Sequence, residues 1–420
     1  MNSEHETIVI VGAGPAGCTL ACLLAMRGRH VLVFDDDKRP ELLVGESLLP
    51  SVIPILRKLE IEDRVRQFSV YKPGASFFHG SGTRMHFTFR KKGRKNPGYA
   101  YNVPRPRFDQ LLRTRAEELG ATFINQRAGL QRSQGPRELE LTADSLRAAE
   151  LEDHPHWLID GTGRARLFAR TLGLAAEKGD RKDAAYFAHF ENFVHDEVDP
   201  GQVVISVLNH GWSWRIPLQG KLSVGIVIDK EAATELGDTP EERLENAIQR
   251  EPLLREKGAN AKRITDVMTY TNYQLIGNQG HGKGWLMLGD AFGFVDPMLS
   301  PGLFMAMESA MVLDQALFSN KPRGAEAYCE EVFAWHESWK ELIDYFYSGE
   351  MMRLYEAGSA VAAQASIFNP AKFMEKHVSR VIAAMASGTG TRSTYNRKLL
   401  AYSSKYLAWD VHDADFYAVK

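Results

Sequence analysis

The chain has 420 residues, and what it has little of removes several function classes at once. Three cysteines, Cys18, Cys22 and Cys329, are too few for a disulfide scaffold. Cys18 and Cys22 lie one helical turn apart, where small side chains pack against a sheet. A reducing cytoplasm is the expected compartment. No apolar run approaches membrane-spanning length. The opening MNSEHET is polar and runs straight into an apolar strand, without the layout of a signal peptide. A net charge of −2 gives no reason to expect nucleic acid or an anionic membrane as partner. No metal site, internal repeat or low-complexity tract is read. What remains is an ordinary globular balance, 44% hydrophobic and 25% charged, with enough chain for two or three packed layers.

The first thirty-five residues carry the clearest signal. Thr7 to Val11, TIVIV, reads as a buried parallel strand. GAGPAG follows with Gly12, Gly14 and Gly17. Cys18 to Arg27 reads as an apolar helix, and His30 to Phe34 as a second strand ending at Asp35. Gly12 permits the tight turn, Gly14 lets backbone approach a pyrophosphate, and Gly17 lets helix pack on strand. The free N–H groups and dipole at the helix start attract phosphate. Asp35 is placed to accept from ribose hydroxyls.

This fingerprint does not choose between FAD and NAD. Three later segments favour FAD: VPRPRFDQLL (Val103 to Leu112), WLIDGTGR (Trp157 to Arg164) and WLMLGDAFGFVDP (Trp285 to Pro297). Asp290 follows a strand, where a carboxylate can hold a ribityl hydroxyl or cap a helix. The turn Ser300 to Gly302 leads into a helix over Leu303 to Leu313, whose first N–H groups would face the flavin. The pattern resembles the FAD-dependent monooxygenase superfamily of the para-hydroxybenzoate hydroxylase type, and spans most of the chain. The resemblance implies non-covalent FAD, with Asp290 on the ribityl chain, Arg105 near the adenosine or ribityl region, and Gly302 near the isoalloxazine. Read alone, Arg105 is equally a turn arginine in solvent.

Two features narrow the resemblance. Trp212 to Pro217, WSWRIP, matches the WxWxIP hexapeptide of the flavin-dependent halogenases. Alternation on a strand puts Trp212, Trp214 and Ile216 on one face, a rigid wall that excludes water. Lys72, in VYKPGASFF, follows the segment VGES (Val44 to Ser47), which is also similar to these halogenases. By itself Lys72 is a strand-end lysine bound for solvent. The resemblance makes it the lysine of the tunnel between flavin and substrate. There it would hydrogen-bond hypohalous acid made from chloride or bromide, or form a chloramine with it. An ammonium whose pKa drops on desolvation suits either task.

The resemblance is to the branch acting on phenols or pyrroles, free or tethered to a carrier protein. Leu299 stands where the tryptophan-directed branch has a catalytic glutamate. Pro301 has no N–H, so one donor to a halide would be missing at this turn. That leaves an aromatic hydroxylase as the alternative to a halogenase. Electrons would come from NAD(P)H directly or through a separate flavin reductase. The glycines of NQGHGKG, Gly280 to Gly284, read as a loop and not as a second nucleotide site.

The expected architecture is α/β. A discontinuous Rossmann-like FAD domain takes residues 1–71, 98–176 and 266–335. Residues 72–97 and 177–265 form a mixed substrate-side sheet. Its runs fall near Ala75 to Phe78, Met85 to Phe89, Val203 to Leu208 and Leu222 to Ile228. Residues 336–420 form a helical, aromatic-rich region, with Ser387 to Ser393 a flexible connection before a last helix. Arg90 to Lys95 reads as a basic loop.

Overall fold

Two sheets of opposite character frame the molecule. The computed structural model describes residues 6–40, 42–80, 82–89, 97–133, 135–195, 199–272, 274–364, 370–406 and 413–419. The basic run Arg90 to Lys95 and Phe368 lie outside them, as does the side chain of Phe373.

Among the described residues the first sheet has six strands. Thr7–Val11 lies between Trp157–Asp160 and His30–Asp35, parallel to both. Trp285–Met287 and Thr122–Asn125 extend the parallel order on either side. The central strands are short apolar runs, as buried parallel strands are. The first helix is Pro15–Ala25, three residues earlier at its start than expected, because proline is well suited to a first helical turn. His281–Gly282 pairs antiparallel with Trp285–Met287, so part of the glycine-rich loop is a narrow hairpin on the sheet edge.

The second sheet has eight strands among the described residues and is mostly antiparallel. Asp183–Glu191, Lys221–Asp229, Gly211–Leu218 and Val203–Leu208 run side by side. Val203–Leu208 then pairs parallel with Gly74–Phe78, which pairs with Arg84–Thr88. Met268–Asn272 joins the outer side of Asp183–Glu191, so this sheet draws on chain beyond the expected boundary at 265/266.

Period two splits the side chains of this sheet between two cores. Ala184, Tyr186, Leu222, Val224 and Ile226 pack under the helices Pro240–Arg250 and Pro252–Lys257. Ala185, Phe187, Trp212, Trp214 and Val227 face the main core instead.

The C-terminal part is helical, with helices Ala325–Tyr347, Glu350–Gln364, Pro370–Ala386 and Thr394–Tyr406. Its buried side chains include Phe346, Met351 and Met352. The connection from Ser387 to Ser393 is not loose, contrary to expectation. Ser387 and Thr391 are buried, and Thr391 Oγ1 donates to Met385 O at 2.6 Å. Ser51 N and Oγ donate to Ser387 O at 3.4 and 3.1 Å, tying the turn to a distant segment. Among the described residues no helix is long and apolar enough to cross a membrane, and no cluster of metal-ligating side chains occurs.

Candidate active site

The glycine turn is built by close backbone contact. Gly12, at φ +104°, donates to Phe34 O at 2.8 Å and so closes the turn against the second strand. A Cβ on Gly17 would lie 2.1 Å from Gly12 O, so only glycine lets this helix sit so close. A Cβ on Gly14 would meet nothing within 4 Å: the space above it is open. No side chain caps the helix start at Gly14, so first-turn N–H groups are left for a ligand. Asp35 lies beside this turn and pairs with Arg39 at 2.9 Å and Arg113 at 3.3 Å. Arg39 also donates to Ala13 O at 2.7 Å, so a guanidinium borders the turn itself.

A cavity of about 300 Å³ runs from this region to the inner face of the larger sheet. Its near end is lined by Pro15, Gly45, Arg105, Arg164, Asp290 and Gly302. Asp290 sits in the turn Gly289–Ala291 that ends Trp285–Met287. Burial pushes its carboxyl up to about 6, against the pull of Arg164 and Arg105. The residue keeps some surface in the cavity wall, yet desolvation outweighs the two guanidiniums. Among the described residues, no group hydrogen-bonds its carboxylate.

Arg105 is not in solvent: its side chain is 12% exposed and forks onto Asp109 with two bonds of 3.0 Å. It also donates to Val44 O. The turn Ser300 to Gly302 starts a helix, as expected; it runs Pro301–Leu317, with Ser300 before it and proline at its first position. Leu299 and Ser300 before it both adopt positive φ, +67° and +60°. Such backbone costs roughly 1–3 kcal/mol per residue and persists only where its surroundings enforce it.

Lys72 ends the strand Val70–Lys72 and is 3% exposed, so it is no solvated lysine. Its Nζ donates to Ser47 Oγ at 2.7 Å and Leu48 O at 2.9 Å, and lies 5.3 Å from the Phe89 ring centre. Burial drives its pKa from 10.5 down to about 7. The segment that holds it is itself clamped. Glu46 Oε1 meets His189 Nε2 at 2.8 Å, with both side chains almost fully buried. Val103 N donates to Glu46 O at 2.7 Å, and Leu48 N to Tyr101 O at 2.9 Å. One short stretch, Val44 to Leu48, therefore touches Arg105 at one end and Lys72 at the other.

The far end of the cavity is aromatic. Trp212, Trp214 and Ile216 line it from one strand, as their alternation requires. The two indoles lie 5.7 Å apart and tilted by 46°. A Cβ on Gly225, opposite Trp214, would come within 2.3 Å of that indole, so the glycine provides the floor on which it lies. Phe77, Phe87, Phe89 and Phe187 complete the wall. Trp212 Nε1 donates to Tyr347 Oη at 2.9 Å and Trp214 Nε1 to Ser223 Oγ at 3.3 Å. Neither indole N–H is left for an occupant.

The cavity thus collects Lys72, Arg105, Asp290, Gly302, Trp212, Trp214 and Ile216 around one space. Gly12, Gly14, Gly17 and Asp35 lie outside its lining, on the adjoining turn. Sequence reading missed Ser47, Glu46, His189, Arg164 and Tyr347. Ser47, Glu46 and Arg164 lay inside segments that already carried the resemblance; Tyr347 was legible only as one of the aromatics of the C-terminal helical region, and His189 had no local signal.

These features suit a flavin adenine dinucleotide. The open space over Gly14 and the uncapped helix suit the diphosphate, Asp35 the ribose, and the unpartnered Asp290 carboxyl a donor such as a ribityl hydroxyl. A family model described as tryptophan halogenase matches residues 7–97 and 88–352. A tryptophan 2-halogenase of Chondromyces crocatus is 30% identical over 317 residues, 73% of this chain and 59% of that protein. This chain's match therefore spans less than two thirds of that relative. A 1H-pyrrole-2-carbonyl-[peptidyl-carrier protein] chlorinase of Pseudomonas fluorescens is 27% identical over 341 residues, 74% of this chain and 75% of that one. The structure of the flavin-dependent brominase Bmp2 shares the fold, with a TM-score of 0.76 at 21% identity, covering 95% of this chain and 99% of that one. The chain belongs to the tryptophan halogenase family of flavin-dependent oxidoreductases.

Proposed function

We propose that this protein halogenates an electron-rich aromatic ring, phenolic or pyrrolic, with Lys72 as the catalytic residue. The observation that carries the reading is the buried amine at the aromatic end of the cavity. With a pKa near 7, a large share of Lys72 is neutral at physiological pH. Two of its N–H groups are spent on Ser47 and Leu48. The ammonium form then keeps one N–H as a donor to hypohalous acid, and the neutral form keeps its lone pair as a nucleophile.

FAD would be held by Gly12, Gly14, Gly17, Asp35, Arg105 and Asp290, with Gly302 beside its reactive ring. When bound and reduced it would supply, with O2, the oxidation of chloride or bromide. Trp212, Trp214 and Ile216 keep water from the electrophile and orient the ring. The apolar wall, with both indole donors spent, favours a substrate whose entering end has no ammonium or carboxylate. An unpaired charge there would be costly. Such a ring arrives free or tethered to a carrier protein, as the name of the Pseudomonas relative states for that enzyme. The reductant is NAD(P)H directly or through a separate flavin reductase. Three buried free cysteines suit a cytoplasmic location.

Hydroxylation is the second reading, and Pro301 favours it, since proline offers no N–H to a halide. One experiment tests both. Chemically reduced, FAD-loaded protein is mixed with O2, bromide and a panel of phenols and of pyrroles, free and carrier-bound, and products are weighed by mass spectrometry. Bromine on the ring supports the proposal. Oxygen on the ring selects hydroxylation. Peroxide alone overturns both.

A further inference from the structure

One phenol oxygen ties the two ends of the cavity together. Tyr347, the last residue of the helix Ala325–Tyr347, accepts from Trp212 Nε1 at 2.9 Å and donates to Asp296 Oδ2 at 3.0 Å. The direction is forced. An indole nitrogen only donates and an ionised carboxylate only accepts, so the hydroxyl must do both. The Arg181 guanidinium lies 4.1 Å from the Tyr347 ring centre, while itself held by Asp183 at 2.8 Å, which fixes the ring from its face. Asp296 is 7% exposed, and its other oxygen, Oδ1, accepts from Met298 N at 2.8 Å. Ser300 N then donates to Pro297 O at 2.8 Å. Between these bonds sit Leu299 and Ser300 in their left-handed conformation, immediately before Pro301 and Gly302.

We propose that Tyr347 is a positioning residue: its hydroxyl, strung between Trp212 and Asp296, holds the turn from Asp296 to Gly302 in its strained shape and in register with the aromatic wall. Two adjacent non-glycine residues at positive φ need enforcement from outside the turn. Asp296 supplies it while its carboxylate is itself anchored; the Tyr347 hydroxyl is one such anchor, beside the charge of Arg181. The donors offered by the turn and by the start of the helix Pro301–Leu317 are thereby aimed by a residue outside the cavity lining. The halide part of this inference rests on the halogenation reading; the turn geometry does not.

Tyr347→Phe removes one oxygen and leaves the ring, so the fold should persist. In the FAD-free protein, hydrogen exchange of the amides from Met298 to Leu303 should rise about ten-fold, the change expected from losing one hydrogen bond to a charged group. Exchange elsewhere in the helix Ala325–Tyr347 should stay as in wild type. In the loaded enzyme, halide KM should rise by a similar factor while kcat moves less than about two-fold. Trp212→Phe, which keeps the Tyr347–Asp296 bond, should loosen the turn less. Wild-type exchange at the turn in Tyr347→Phe overturns the proposal, as does a parallel loss of kcat and KM tracking a fall in stability. A wild-type enzyme that fails to halogenate while Tyr347→Phe still loosens the turn counts against the halogenation reading and leaves this inference standing.

Discussion

At its glycine-turn end the cavity is made of backbone and charge; at its aromatic end it is made of sheet and hydrocarbon. The near end presents Asp290, Arg105 and Arg164. The far end presents four phenylalanines, two tryptophans and one amine. Burial pushes both key groups toward neutrality, Asp290 up to about 6 and Lys72 down to about 7. The balance differs. Two guanidiniums oppose the shift of Asp290, whereas Lys72 has only the neutral acceptors Ser47 Oγ and Leu48 O to oppose its own. A polar end with compensating charges suits a cofactor rich in hydroxyls and phosphates. An apolar end whose single amine is uncompensated suits chemistry that needs a reactive lone pair and no water.

The largest test of this contrast is Lys72→Met. Turnover should fall by about a hundred-fold or more, while FAD binding is retained. Stability should rise. The pKa displacement from 10.5 to about 7 corresponds to roughly 5 kcal/mol of destabilisation at 1.36 kcal/mol per unit. Against it, Ser47 and Leu48 lose their donor, about 1–3 kcal/mol. The folded pKa lies below the unfolded one. The penalty is therefore full below pH 7 and gone above about 10.5, and the variant's advantage should shrink across that window. Urea unfolding at pH 6, 8 and 10 measures it. A gain that does not vary with pH would mean that the amine is not held against its charge.

Arg105→Ala probes the opposite end. It strands the buried Asp109 and leaves Val44 O without its donor. A loss of about 3–5 kcal/mol in unfolding free energy is expected. Flavin affinity should fall with it, because Val44 begins the stretch that reaches Lys72. An equal stability in Arg105→Ala would show that the near end does not depend on charge.

Asp290→Asn is milder. Hydroxyl donors bind the ionised carboxylate better than the protonated one, so wild-type FAD affinity should climb as pH rises through about 6. The folded pKa is raised, so stability tied to the protonated carboxyl is complete below 3.8 and lost as pH passes about 6. The asparagine variant should bind FAD about ten-fold more weakly at pH 7.5, with a flat pH profile. Fluorescence titrations at pH 5 and 7.5 separate the two. A flat wild-type profile would remove Asp290 from the flavin.

The two ends were unequally legible in the sequence. A phosphate cradle is a property of contiguous backbone, so Gly12, Gly14 and Gly17 announced themselves in six residues. Trp212, Trp214 and Ile216 were legible through the period of a strand. The role of Lys72 came from resemblance, and its burial was not readable, because Ser47, Leu48 and Phe89 arrive from separate segments. Glu46 with His189, Asp35 with Arg113, and Tyr347 with Asp296 are pairings across the fold, for which no local pattern exists. Two misreadings share a cause. Pro15 and the stretch from Ser387 to Ser393 looked like punctuation. Proline also starts helices, and small polar residues also make tight buried turns when their hydroxyls find carbonyls.

The smallest effect lies where the two ends meet. Pro301 occupies the first position of the helix Pro301–Leu317, next to Gly302. A first-position N–H has no intrahelical partner, so replacing proline adds a donor that the helix does not consume. Pro301→Thr forfeits about 0.4–1 kcal/mol of chain preorganisation. A hydrogen bond to a desolvated anion is worth about 1.5–3 kcal/mol. The second outweighs the first, so halide KM should fall by up to about ten-fold, with little change in FAD affinity. The comparison that decides it is bromide-dependent product formation at fixed flavin saturation. If the halide dependence is unchanged, the missing donor does not limit this turn and the reason for preferring hydroxylation disappears with it. If halogenation appears only in the variant, the natural enzyme is the hydroxylase and Pro301 is the residue that made it one.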